Sequence, residues 1–286
     1  MLELHKDRDR FGEALSFTEA EMGFAVRLVE KDYYCTVLLE YLAGKMTGLV
    51  FKGGTCLAKV HTNFFRLSED LDFAIPVTEV TSRTERGKLV SPVKESFAGL
   101  ARALPCFEVQ APLKGANNST QYVGSVSYQS LGTGQKEAIK IEVALREPLL
   151  TKPIATNALT ALLDPLTGRA IVTPVPVSCI SKLEAFAEKF RAALSRREVA
   201  VRDFFDLDYA SRRVELRPED AELIGLVRQK LAAPGNELVN VSAGRLAALR
   251  QQVEAQLQPV LRAEDFAEFN LERAFQMVAA MAAKVT

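Results

Sequence analysis

The chain has 286 residues with 36 basic and 36 acidic side chains, so its formal net charge is zero. Hydrophobic residues make up 48% and charged residues 25%, which is ordinary for a soluble globular protein. This balance provides no overall attraction to nucleic acid, so any RNA contact requires a local basic patch. No apolar run reaches the length of a membrane span, and the charged residues 1–10 do not resemble a signal peptide. The sequence therefore predicts a cytoplasmic protein with no membrane segment.

Cysteine and histidine usage argues against several kinds of site. The cysteines lack the spacing of a zinc site, so we expect reduced thiols rather than disulfides or metal ligands. Only two histidines exist, and His61 is expected to be structural, so a mechanism with a histidine base is disfavoured. The cysteines are Cys35, Cys56, Cys106 and Cys179.

The N-terminal region is predicted to contain one long helix. Residues 1–15 suggest a flexible or loosely docked arm. Ser16 and Glu19 fit a capping box, and apolar residues then recur at helical spacing up to about Ala43. The sequence therefore predicts a helix over residues 16–43, ahead of the first strand.

Two aspartates, Asp70 and Asp72, lie on a short predicted strand. Residues i and i+2 of a strand point to the same face, so the two carboxylates project together while Leu71 and Phe73 face the core. Neighbouring carboxylates repel each other unless a cation bridges them. Mg²⁺ is the hard cation that prefers oxygen ligands and also binds phosphates. Taken alone, such a pair is most often a solvated strand face.

A glycine pair precedes the aspartates by one predicted helix. Gly53 and Gly54 allow the backbone to turn sharply and to approach a ligand closely. Thr55 is predicted to cap the following helix, whose first N–H groups then face an anion. A Gly-Gly pair is most often only a turn, but its position before Ser68 and the two aspartates favours a phosphate and metal site.

A second strand carries another acidic residue. Residues 138–145 alternate, with an apolar set on one face and Glu142 on the other. An isolated charge on a strand is usually solvated. The proline-rich residues 146–180 then suggest a boundary, with a short strand at 169–172, and the rest of the chain is predicted to be helical.

Several of these segments resemble the AbiEii/AbiGii-type toxins of bacterial toxin–antitoxin and phage-exclusion systems, within the DNA polymerase β-like nucleotidyltransferase superfamily. The resemblance covers roughly residues 25–215. The matching motifs are Phe51–Thr55, Arg66–Phe73, Lys140–Val143, Leu183–Leu194 and Arg202–Leu207.

The resemblance implies an α+β (α/β) fold, with a polymerase β-like mixed sheet and a helical C-terminal part. Residues 1–150 would form the catalytic module with its N-terminal helix, and residues 151–286 the mainly helical part that carries the third motif and shapes the acceptor cleft.

The resemblance also implies roles for individual residues. Asp70, Asp72 and Glu142 are expected to bind two Mg²⁺ ions. The same three residues and Lys189 are expected to be catalytic. The residues expected to bind the nucleotide are Gly53, Gly54, Thr55, Ser68, Lys189 and Asp203. For Ser68 a role as an ordinary turn residue stays open, and Asp203 would either orient Lys189 or contact the nucleotide.

The implied activity is transfer of a nucleotide from an NTP to an acceptor such as tRNA, with release of pyrophosphate. A cognate antitoxin is the implied protein partner. The basic residues between 191 and 213 would either follow an RNA backbone or lie on a solvated helix face. Two alternatives stay open: the same chemistry on a protein or small-molecule hydroxyl, and a nucleotide-binding module without catalysis.

Overall fold

A computed structural model describes residues 2–46, 48–78 and 80–286. The chain divides into two compact units, Met1–Ile180 and Ser181–Thr286. The first unit combines helices with one mixed sheet, and the second is helical. The predicted α+β class, with a mixed sheet followed by a helical part, is therefore confirmed.

In the described part of the chain, seven strands form a single sheet in the order β3-β4-β5-β2-β1-β7-β6. The pairs β5–β2 and β1–β7 are parallel, and the other neighbours are antiparallel. The central strands β2 and β1 are therefore flanked on both sides by parallel partners. The strands are β1 (Val50–Lys52), β2 (Leu71–Ala74), β3 (Phe107–Ala116), β4 (Gln121–Gln129), β5 (Lys136–Ala144), β6 (Ile154–Ala158) and β7 (Val175–Cys179).

Helices of the first unit pack against this sheet or against one another. The longest, α2, is buried along most of its length and packs against β5 and β7. The helices are α1 (Arg8–Met22), α2 (Val26–Lys45), α3 (Gly53–Cys56), α4 (Arg83–Ala98) and α5 (Leu100–Ala103). A π-turn at Leu57–His61 continues α3, and 3-10 turns lie at Leu4–Lys6 and Asn117–Ser119.

The N-terminal region differs from its prediction. Asp7, not Ser16, caps the first helix by accepting a hydrogen bond from the Arg10 N–H. Gly23, with φ of 71°, then ends α1 before α2 begins. The predicted helix over residues 16–43 was therefore wrong, because a left-handed glycine stops the chain where apolar spacing alone suggests continuity. The expected flexible arm was also wrong, since Phe11 is buried.

The proline-rich segment contributes to the sheet. Its strands are β6 and β7, whereas the predicted strand at 169–172 is reduced to one bridge between Ala170 and Leu163. The sheet thus extends to Cys179, beyond the predicted functional boundary after residue 150, and that boundary stays a prediction. Pro176 is tolerated in β7 although it cannot donate a ladder hydrogen bond.

The second unit is built around α6, which contacts α7, α8 and α11. Its helices are α6 (Lys182–Ser195), α7 (Val201–Arg213), α8 (Ala221–Ala232), α9 (Ala243–Gln252), α10 (Ala263–Glu268) and α11 (Leu271–Val285). Buried ion pairs join them, such as Lys230 of α8 with Glu184 of α6 at 2.7 Å. None of the helices in the described ranges of either unit combines the length and apolar character that a bilayer span requires.

Candidate active site

A row of charged side chains crosses the centre of the sheet in the first unit. Asp72 on β2 is in register with Lys52 on β1 and with Glu142 on β5. Residues directly opposite one another project from the same face of a sheet. Asp70, two residues before Asp72, projects from that face as well. The structure thus brings together the three carboxylates that the sequence singles out.

The opposite face of the same strands is apolar. Leu71 and Phe73 are buried, as the alternation predicts, and so are Ile141 and Val143 on the neighbouring strand. Their burial fixes the register, because a slip of one residue would turn the acids into the core. The apolar positions therefore determine where the carboxylates lie.

The carboxylates perturb one another. Burial, followed by the negative charges of Glu142 and Asp70, raises the pKa of Asp72 to about 6, against the opposing effect of Lys52. Partial removal of water also raises the pKa of Asp70, although Lys140 and Lys31 lower it. Burial is therefore the main reason why both carboxyl groups hold a proton more tightly than in water, and like charge adds to it at Asp72.

A hard divalent cation fits this donor set. Three carboxylates on one sheet face offer the oxygen ligands that Mg²⁺ prefers, and a cation would relieve the repulsion that raises the pKa of Asp72. One competitor is present, since Lys140 forms an ion pair with Glu142 at 2.9 Å. Lys140 therefore competes with a metal for one oxygen of Glu142.

The glycine turn lies directly against the acids. Gly53 has φ of 78°, and a Cβ atom built on it would stand 2.2 Å from an Asp72 Oδ atom. A larger residue at this position would clash with the carboxylate as well as strain the backbone. The Gly53 backbone therefore lies close to the acidic cluster.

Two further polar groups surround the second glycine. A Cβ atom on Gly54 would lie 3.1 Å from the Ser68 hydroxyl and 2.7 Å from the Arg66 guanidinium. Arg66 is buried and stacks over Phe65. Sequence reasoning gave Arg66 no role, because a buried arginine and a surface arginine look alike in a sequence. Both Ser68 and Arg66 stand where an anion on the glycine turn would meet them.

Thr55 has a different role from the predicted helix cap. Helix α3 begins at Gly53, so Thr55 lies inside it. The Thr55 hydroxyl donates a hydrogen bond to the Asp70 carbonyl oxygen. The cap prediction was therefore wrong, because the helix starts earlier than the residue type suggests. The hydroxyl instead ties the glycine turn to the segment that presents the aspartates.

Two cations on α2 bind the segment that presents the aspartates. Glu69 accepts hydrogen bonds from Arg27 at 2.7 Å and from Lys31 at 3.1 Å. Burial alone would raise the pKa of Glu69, but Lys31 and Arg27 outweigh it and lower that pKa. Glu69 therefore anchors the chain next to Asp70. Sequence reasoning had left Lys31 without a role, because its partner lies 38 residues away.

Lys189 and Asp203 both belong to the second unit, where they bind each other. Lys189 Nζ lies 2.8 Å from Asp203 and 2.7 Å from Asp206, and Arg196 lies 3.2 Å from Asp203. The spacing of helices α6 and α7 produces this cluster, and an orienting role of Asp203 stays a prediction. Contact of either residue with a nucleotide stays a prediction.

The arginines between 191 and 213 are largely used inside the second unit. Arg212 pairs with Asp208 and Glu268, and Arg213 pairs with Glu268. Arg191 donates to the Asn236 side chain. These contacts favour the structural interpretation of the basic cluster over that of an RNA-binding face.

Comparison with known proteins finds a matching family. Residues 37–280 match the family described as nucleotidyl transferase AbiEii toxin, type IV TA system. No curated protein sequence matches the chain at a significant level.

Two solved structures have the same fold. MenT4, a nucleotidyltransferase toxin from Mycobacterium tuberculosis H37Rv, is 20% identical with a TM-score of 0.57, covering 95% of this chain and 92% of its own. JHP933 from Helicobacter pylori is 16% identical with a TM-score of 0.51, covering 92% of this chain and 93% of its own. The family match extends through both compact units and confirms the resemblance seen in the motifs. The chain therefore belongs to the AbiEii nucleotidyl transferase toxin family, the toxin enzymes of type IV toxin–antitoxin systems.

Proposed function

We propose that this nucleotidyltransferase depends on a divalent metal and transfers a nucleotide from an NTP to an acceptor such as tRNA. The observation that carries the metal requirement is the register of Asp72 with Glu142 on adjacent parallel strands, beside Asp70. In the reaction, a hydroxyl oxygen of the acceptor forms a bond to the α-phosphorus as the bond to the departing pyrophosphate breaks. The hydroxyl proton passes to a carboxylate of the cluster or to solvent.

Asp70, Asp72 and Glu142 would hold the metal, two Mg²⁺ ions in the predicted arrangement. Bound there, Mg²⁺ supplies charge neutralisation for the triphosphate and a lower pKa for the acceptor hydroxyl. The carboxylates contribute fixed ligand positions, because apolar residues on the other sheet face hold their strands in register. Lys140 keeps Glu142 in place when the ligand is absent.

The glycine turn would bind the phosphates. Backbone N–H groups of Gly54 and Thr55 begin helix α3 and have no carbonyl partner further back in that helix. Ser68 and Arg66 flank the turn and would add a hydroxyl donor and a positive charge. Such donors favour a phosphate oxygen over a neutral ligand.

Lys189 would bind a phosphate of the nucleotide, with Asp203 orienting it. The supporting observation is that Lys189 is held by two carboxylates, Asp203 and Asp206, rather than extended into solvent. A lysine with a fixed position loses less entropy when it binds an anion. A Lys189→Ala variant is expected to raise the KM for NTP more than an Arg197→Ala variant of the same unit does.

A transfer assay tests the proposal. Purified protein, Mg²⁺ and total tRNA are incubated with each α-labelled NTP in turn, next to an Asp70→Ala/Asp72→Ala variant. Label in tRNA with the wild type alone supports the proposal and identifies the nucleotide. Label that enters protein or small molecules of a lysate, but not tRNA, contradicts the acceptor and favours the first alternative.

The remaining alternative is binding without catalysis. It predicts growth inhibition by an Asp72→Ala variant that folds normally, whereas the proposal predicts that this variant is harmless. The family also implies an antitoxin encoded for the same system, and we expect its expression to relieve the toxicity of the wild type. A cytoplasmic site of action is part of the same proposal.

A further inference from the structure

Three side chains with metal-binding donors come together in the first unit, apart from the acidic cluster. The donor atoms of Cys56, His61 and Cys179 all lie within 4.8 Å of one another. Both cysteines are fully buried, and His61 is half-buried. The sequence spacing gives no sign of this trio, because 123 residues separate the two cysteines.

The local backbone explains how Cys56 and His61 meet. Cys56 is the last residue of α3, and the π-turn Leu57–His61 follows it. In an α-helix, a residue five positions on points roughly 140° away. A π-turn closes i to i+5 hydrogen bonds and so brings such a residue round toward the same side. Single π-turns of this kind often occur at functional sites.

Cys179 reaches the same place from the sheet. It is the last residue of β7 and is in register with Phe51 of the parallel strand β1. Strand β1 leads directly into the glycine turn and α3. The two cysteines therefore belong to adjacent elements that leave the sheet at the same point.

The orientation of His61 is fixed by a backbone carbonyl. Its Nε2 lies 3.0 Å from the Ile180 oxygen. A carbonyl oxygen only accepts, so Nε2 carries the hydrogen and Nδ1 of the neutral ring keeps its lone pair. Metal-binding histidines typically donate their second N–H to a carbonyl or carboxylate in this way. Ile180 follows Cys179, so one segment supplies a thiol and orients the imidazole.

We propose that Cys56, Cys179 and His61 Nδ1 bind a borderline-soft divalent cation, Zn²⁺ in the first place, with solvent as the fourth ligand. Two thiolates and an imidazole are a typical zinc ligand set, whereas Mg²⁺ prefers oxygen. Sulfur and nitrogen ligands of a tetrahedral ion lie closer together than the 4.8 Å limit that this trio satisfies. On binding, the Zn–S bonds replace the S–H bonds and the thiol protons pass to solvent.

The electrostatics of the trio agree with this geometry. The hydrogen bond with the Cys56 side chain, together with His61, lowers the pKa of the Cys179 thiol to about 6, against the effect of burial. The thiolate is the form of cysteine that binds metals. Cys35, which is equally buried but outside the trio, has its pKa raised by burial to about 12.

The position of the ion gives it a structural role. It would join β7 to the end of α3, the short helix that Gly53, Gly54 and Thr55 begin. Because the folded chain assembles the three ligands and the unfolded chain does not, binding would stabilise the fold. The ion would also hold the glycine turn against the sheet. Catalysis need not involve it directly.

The first test is metal binding under reducing conditions. Metal-free full-length protein is titrated with Co²⁺, which reports thiolate ligands by its charge-transfer absorption, and Zn²⁺ is then added to displace it. We expect about one equivalent to bind the wild type. Cys179→Ser and His61→Gln are expected to weaken binding at least about 10-fold. Cys35→Ser is the matched control for loss of a buried thiol and is expected to bind normally.

A second measurement uses the wild type alone, so it does not depend on the variants folding. Thermal unfolding is compared in chelator, in Zn²⁺ and in Mg²⁺ without nucleotide. We expect Zn²⁺ to raise Tm and to slow alkylation of Cys56 and Cys179, but not of Cys106. No thiolate–Co²⁺ absorption with the reduced wild type would overturn the proposal. So would equal binding by the wild type and Cys179→Ser, or alkylation rates unaffected by Zn²⁺.

Discussion

Asp32 and Asp72 are both aspartates of the first unit, but their surroundings are opposite in character. Asp32 on α2 is fully buried, and its charge is matched. One oxygen lies 2.6 Å from Lys59 Nζ, and the other accepts hydrogen bonds from the Thr160 hydroxyl and the Ala161 N–H. Lys59 in turn donates to Thr36 at 2.7 Å. Each polar group in this network has partners, as burial of charge requires.

Asp72 is only half-buried, yet its charge is the less well matched. It stands opposite Glu142, with Asp70 beside it and the Gly53 backbone against it. The consequence is a pKa raised to about 6, with burial as its largest cause. The comparison indicates that depth of burial does not mark a ligand-binding carboxylate. What distinguishes Asp72 from Asp32 is its position among other carboxylates and against a backbone turn.

The largest expected effect is a loss of activity when Asp72, but not Asp32, is replaced. Asp72→Asn keeps the size of the side chain but removes a metal ligand, so we expect nucleotide transfer to fall by on the order of 10³-fold or more. Its stability is expected to equal or exceed that of the wild type, because like-charge repulsion is relieved. Initial rates and urea unfolding of the same preparation measure both quantities.

Asp32→Asn is the matched control for this change. It removes the same charge from the same unit, but it should lower stability while activity per folded molecule is retained. If both variants lost activity equally, the distinction between the two carboxylates would fail.

The second prediction concerns Lys59, the other member of the Asp32–Lys59 ion pair. Lys59→Met leaves the Asp32 carboxylate buried without its cation, and breaking a buried pair in this way costs about 3–5 kcal/mol. We expect that loss in the free energy of unfolding, measured by urea denaturation. An Asp32→Asn/Lys59→Met variant should recover part of it, since neither charge is then left alone. A loss below about 1 kcal/mol for Lys59→Met would show that the network is not structural.

The third prediction concerns the backbone that contacts Asp72. Gly53→Ala introduces both a strained φ of 78° and a Cβ that displaces the Asp72 carboxylate. We expect activity to fall on the order of 10²-fold, as for a misplaced catalytic group, and stability to fall as well. Gly134→Ala is the control, because its φ is 68° and no described atom lies within 4 Å of the new Cβ.

Gly134→Ala should cost stability alone, about 1–2 kcal/mol for a left-handed alanine. Equal activity of the two alanine variants would contradict the contact between the glycine turn and the acid.

These differences also explain what the sequence reveals. Strand alternation and motif spacing place Asp70, Asp72 and Glu142 on one face, because strand periodicity is a local property that sequence carries directly. The resemblance to a family then selects these residues from other charged strand positions. The sharp turn at Gly53 is also predictable from the sequence, because the conformational freedom of glycine follows from its residue type.

Pairings across the fold are a different matter. The Asp32–Lys59 pair and the Cys56–Cys179 approach depend on how helices dock on the sheet, which periodicity does not encode. The helix start at Asp7 shows a related limit: both Asp7 and Ser16 are suitable caps, and burial of Phe11 favours the earlier one. The expected cap at Thr55 failed for the same reason, since tertiary contacts made its hydroxyl a donor to Asp70.

The smallest expected effect is a pH dependence of stability that Asp72 produces. Burial and the nearby carboxylates raise the pKa of Asp72 from 3.8 to about 6 in the folded chain. A raised pKa means that the folded state holds this proton more tightly than the unfolded state. The resulting stabilisation is complete below about pH 4 and is lost as the pH rises through about 6.

Asp72→Asn cannot lose that stabilisation. The difference in unfolding free energy between variant and wild type should therefore grow in favour of the variant from about pH 4 to pH 6 and stay level above it. The measurement is urea unfolding across this range in the presence of a chelator, since a bound cation would hide the repulsion. A difference that does not change with pH would mean that Asp72 titrates as an ordinary solvated carboxylate, and the crowding of acids on this sheet face would no longer argue for a metal.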